Sequence, residues 1–81
     1  MIRGQSVEVK VDYDLFGVNV RGTIGIYLKC SPGGKNLVYF PDVEEWGEFQ
    51  TEDLAEIPGE VPEKNLDFVS NIKTMKTTFQ T

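Results

Sequence analysis

The sequence predicts an all-β domain: a small barrel of about five antiparallel strands with one short helical turn and a C-terminal extension. Three observations predict it. Near the start of the chain, "VEVKV" alternates apolar and charged residues with period two over Val7 to Val11. Eight glycines and four prolines divide 81 residues into short pieces, which favours a turn-rich domain over a helical bundle or a disordered chain. The pieces between them, "TIGIYL" and "LVYF", are rich in the β-branched and aromatic residues that suit strands.

Taken in order, the first strand carries Val7, Val9 and Val11 on one face, with Gly4 before it and "DYD" after it as turn signals. "VNVRGTIGIYL" follows as one kinked strand or two short ones. Val18 and Val20 alternate, Gly22 interrupts, and Ile24, Ile26 and Leu28 resume on a common parity. Gly22 and Gly25 inside that pattern suggest a bulge or bend at a barrel corner. "SPGGK", Ser31 to Lys35, is a strong turn, because proline presets φ and the paired glycines accept positive φ at little cost. It should close a hairpin onto "NLVYF", with Val38 and Phe40 facing the core, Leu37 and Tyr39 facing out, and Pro41 ending the ladder.

Asp42 to Glu48 then reads as a loop, and Phe49 as the start of the next strand. Thr51 can cap a helical turn through "EDL", with Glu52 and Asp53 near its positive end and Leu54 and Ile57 turned inward. The barrel is expected over residues 1–58. Residues 59–81 read as a Pro-bounded linker, "PGEVPEK", and an extension in which Phe68, Ile72, Met75 and Phe79 fall at helical spacing among threonines that form helices poorly.

Strand, open loop, bent strand, hairpin, strand, helical turn and final strand is the order of an SH3-like barrel. Within it, "RGQSVEVKV", "RGTIG", "LVYFPDV" and "FQTEDLAEI" resemble the pattern of photosystem I reaction-centre subunit IV, and the variable chain of ferredoxin–thioredoxin reductase follows a similar plan. The resemblance spans residues 2–57. It implies a non-catalytic accessory subunit of a photosynthetic electron-transfer complex, placed in the cytoplasm or on the stromal side of a photosynthetic membrane. The chain departs from that pattern where it is most acidic, since a docking face for acidic ferredoxin should be basic, and in its Pro-bounded tail.

Composition narrows the function further. The chain has no histidine and a single cysteine, Cys30, which leaves no internal disulfide, no structural zinc site and no histidine-based catalysis. No cofactor, metal or enzymatic role is expected, and no run approaches the roughly 18 apolar residues of a membrane span. The net charge is −5, and residues 36–63 hold nine of the thirteen acids and no lysine or arginine. Such a segment repels phosphate backbones and attracts cationic partners. A nucleic-acid-associated role is therefore the weaker alternative, because clustered Lys and Arg interleaved with aromatics are missing.

Tyr13, Phe16, Tyr27, Tyr39, Phe40, Trp46 and Phe49 exceed what a barrel of this size easily encloses. Aromatic faces beside carboxylates attract cations, because ring and carboxylate act on the same charge. The expected partner-binding residues are therefore Tyr13, Asp14, Asp42, Glu44, Glu45, Trp46 and Glu48, facing a protein with a basic surface. Trp46 admits two readings: the exposed centre of this aromatic-acidic face, or a lid over the open end of the barrel. An adaptor that reads a Lys- or Arg-bearing segment is the alternative to the accessory subunit.

Overall fold

In the computed structural model, residues 1–70 are described, and they form a small barrel-like fold of antiparallel strands with one short helix. Its strands are β1 (Ser6–Val9), β2 (Asp14–Leu15), β3 (Val18–Asn19), β4 (Ile24–Cys30), β5 (Asn36–Phe40), β6 (Glu45–Phe49) and β7 (Leu54–Glu56), with a 3-10 turn at Thr51–Asp53. The main sheet is antiparallel throughout and runs β6-β5-β4-β1-β7, while β2 and β3 make a separate hairpin. The sheet curls around a core but does not close, since β6 and β7 end it on opposite sides.

The interior forms as the alternation dictates. Val7, Val9, Val20, Val38, Phe40 and Phe49 are almost fully buried in one cluster with Leu15, Tyr27 and Leu54. Burying each such side chain stabilises the fold by about 1.5–3 kcal/mol. The second candidate segment resolves into two strands, because Gly22, at φ 78°, makes the turn before β4 and donates its N–H to the Val9 carbonyl at 2.8 Å. The expected bulge falls elsewhere: the β4–β5 register shifts between Tyr27 and Lys29, leaving Leu28 as the extra residue.

Gly25 has a different role, which decides which way β4 faces. It pairs with Val7 and points into the core, where an added Cβ would lie 2.4 Å from Val38 Cγ1 and 2.8 Å from Phe40 Cε1. Ile24, Ile26 and Leu28 therefore share the outer face. Ile26 and Leu28 are buried there in a second cluster with Tyr39 and Val69.

What buries them is a helix over residues 63–70. Val69 is 2% exposed within that cluster, and Phe68 approaches Tyr39 with ring centroids 6.3 Å apart. The buried Asn65 pins the helix, donating from Nδ2 to the Gly4 carbonyl at 2.8 Å and to Ser6 Oγ at 2.9 Å. Of the apolar series read at helical spacing, only Phe68 lies on this helix; Ile72, Met75 and Phe79 fall outside the described residues. Asn65→Ala leaves the buried Gly4 carbonyl without this donor. A loss of about 2 kcal/mol is expected, read as a fall of roughly 10 °C in thermal midpoint.

A second buried asparagine holds the other end of the barrel. Asn36 donates from Nδ2 to the Phe49 carbonyl at 3.3 Å and to Thr51 Oγ1 at 3.0 Å. Thr51 thus anchors the 3-10 turn to β5 instead of capping it. Gln50 occupies the cap position and makes no side-chain cap bond.

Candidate functional site

The β2–β3 hairpin is built by a two-residue loop, Phe16–Gly17, with φ of 50° and 87°. Two successive positive φ angles give the turn twist that joins adjacent antiparallel strands, a position that favours Asn-Gly. A phenylalanine there is strained at roughly 1–3 kcal/mol, and its ring is 80% exposed. The hairpin base is fixed by polar groups. Asn19 Oδ1 accepts from the backbone N–H groups of Tyr13 and Arg21, and Asn19 Nδ2 and Arg21 Nη1 both donate to Asp12 Oδ1 at 3.3 Å. These bonds, that of Asn19 foremost, hold the Asp12 carboxyl below its ordinary pKa.

Between this hairpin and β6 lies a groove of about 530 Å³. Tyr13, Asp14, Leu15 and Phe16 form one wall, while Leu37, Trp46, Gly47 and Glu48 form the other. Tyr13 stacks on the core ring of Phe49, with centroids 4.4 Å apart and planes at 45°. Gly47 allows that approach, since a Cβ would meet Phe49 at 3.0 Å and Tyr13 at 3.3 Å.

Of the seven residues expected to bind, the structure brings Tyr13, Asp14, Trp46 and Glu48 together in the groove. Asp42, Glu44 and Glu45 are not among its lining residues. They sit at the β5–β6 turn and the start of β6, and Glu44 has a φ of 53°. The charges of Glu44 and Glu45 add to burial in raising the Tyr39 pKa. Asp42 lines a different cavity of about 400 Å³, next to Pro41, Lys64 and Phe68.

Trp46 needs a correction. It belongs to strand β6, opposite Tyr39, and not to a loop. Half-buried, it leans against the outer cluster beneath the helix, and Tyr13 is the aromatic that packs against the barrel core near this edge.

Leu15, Phe16, Leu37 and Gly47 line the groove without having been singled out as binding residues. "LFGV" did hold a signal, a Phe-Gly pair flanked by two apolar residues, but Phe is an unusual choice where Asn-Gly is the recognised turn. Among the described residues no group of three or more His, Cys, Asp or Glu can hold a metal ion. No helix among them is long and apolar enough to cross a membrane. No family model, curated protein or solved structure matches the chain.

Proposed function

We propose that this chain is a non-catalytic protein-binding module whose groove receives a Lys- or Arg-bearing segment of a partner. The observation that carries this reading is Phe16, an aromatic held in a strained left-handed turn with its ring in solvent, at the rim of a groove that also presents Asp14, Trp46 and Glu48. Strain kept at an exposed apolar residue does nothing for the fold, whereas a cation entering the groove meets both ring faces and carboxylates. The same carboxylates work against a phosphate backbone. Membership of a photosynthetic electron-transfer complex would give this binding role a setting, and it rests on the motif resemblance over residues 2–57 alone.

Phe16→Asn tests the proposal without the ambiguity of misfolding. Asparagine prefers this turn position, so the variant should hold its stability or gain up to about 1 kcal/mol. Its affinity for a fluorescein-labelled peptide of alternating Lys and Val should fall at least about fivefold. Raising salt from about 50 to 300 mM should weaken the unaltered chain by about tenfold, and the same peptide with Glu for Lys should not bind. Salt-independent capture, or equal affinity of the variant, would discard the proposal.

A further inference from the structure

We infer that the partner segment binds as an added β-strand along the free edge of β6. This rests on the groove reading above and specifies how the groove is used. Strand β6 ends the sheet, and among the described residues it pairs with β5 alone. An edge strand presents a row of backbone donors and acceptors to whatever lies beside it. Trp46, Gly47 and Glu48 are consecutive in β6, and all three line the groove. Successive side chains of a strand point to opposite faces, so a cavity that touches three in a row runs along the strand's edge and not over one face.

Charge selects the occupant. A second copy pairing through the same edge would bring Glu45 and Glu48 of both chains into one short ladder, and like charges across a ladder oppose pairing. A segment with Lys or Arg at alternate positions meets Glu48 beside Trp46 on β6 and Asp14 beside Tyr13 on the hairpin wall. Each acid has an aromatic next to it, so each wall offers a carboxylate and a ring to a cationic side chain. The occupant is therefore an extended basic segment of another protein.

The test uses the full chain and three labelled heptapeptides of alternating Lys and Val: one unmodified and two N-methylated at every second backbone amide, in the two possible phases. Methylation removes ladder donors and leaves the side-chain charge intact. The unmodified peptide is expected to bind, and at least one methylated peptide to bind about tenfold or more weakly. If both methylated peptides bind within about twofold of the parent, strand addition is overturned while the cationic groove stands. If none of the three binds, both readings fall. A dimer of the chain alone, seen in sedimentation and dissolved by the peptide, would assign the edge to a second copy and overturn the proposal. A gain of about tenfold on Lys73→Glu/Lys76→Glu would give it to the chain's own C-terminal segment, with the same consequence.

Discussion

Replacing Gly25 with alanine is expected to lower the stability of the domain by about 3 kcal/mol, the upper part of the range for overpacking a core. The added methyl would lie 2.4 Å from Val38 Cγ1 and 2.8 Å from Phe40 Cε1, and neither side chain has room to retreat, since Val38 is 0% and Phe40 1% exposed. Either those side chains leave their rotamers or β4 moves away from β5. For a domain whose whole stability is on the order of 5–15 kcal/mol, that is a large share. Thermal unfolding should show a midpoint lower by roughly 15 °C. Val38→Ala should partly restore the Gly25→Ala variant, giving a strongly non-additive double-mutant cycle. A single-variant loss below about 1 kcal/mol would mean that Gly25 does not set the spacing between β4 and β5.

The second large effect concerns binding. The double variant Asp14→Lys/Glu48→Lys reverses both charges lining the groove, and affinity for a basic peptide is expected to fall by about 100-fold, with much of the loss in the association rate. Both residues are exposed, so stability should stay within about 0.5 kcal/mol of the unaltered chain. The matched control is Asp42→Lys/Glu44→Lys, which makes the same change in net charge on residues that do not line the groove. It should weaken binding by less than about threefold. Equal losses from the two pairs would mean that the peptide senses the overall charge of the chain and not the groove.

Together these variants separate two tasks that the strands share. Gly25, Val38 and Phe40 set how closely β4 and β5 approach inside the barrel. Tyr13, Asp14, Trp46 and Glu48 sit at the margin of that core, where Tyr13 stacks on Phe49 and Trp46 leans on the outer cluster. The groove is thereby braced by the fold although its polar ends remain in water. Asn19, with its contacts to Tyr13, Asp12 and Arg21, gives the hairpin wall the same support.

Much of the fold was legible because local chemistry left few choices. Period-two valines put Val7 and Val9 inward, "SPGGK" closed the β4–β5 hairpin, and the acids of "TED" followed by Leu54 marked a single helical turn before the last strand. The acidic-aromatic character of the groove was legible in part, since charge and ring content point to Tyr13, Asp14, Trp46 and Glu48, which line it, but also to Asp42, Glu44 and Glu45, which do not. Periodicity tells which residues share a face but not which face is inside. Ile24, Ile26 and Leu28 share a parity, and only the crowding of Val38 and Phe40 against Gly25 turns that parity outward, under a helix some 40 residues later in the chain.

By itself, then, the amino-acid sequence determined the class of fold, the first strand, the β4–β5 hairpin and the sign of the charge around the groove, while the strands at Asp14–Leu15 and Glu45–Phe49 read as turn and loop, because only the former follow from alternation, turn chemistry and composition over a few neighbouring residues. Tertiary structure alone decided that Trp46 lies in a strand against Tyr39, that Phe16 stands strained at a hairpin tip, and that Asp42, Glu44 and Glu45 fall outside the groove. The last of these depends on how the β2–β3 hairpin meets β6, about 30 residues further along the chain. Such long-range pairings are chosen by packing complementarity summed over the whole core, which no local window of residues contains.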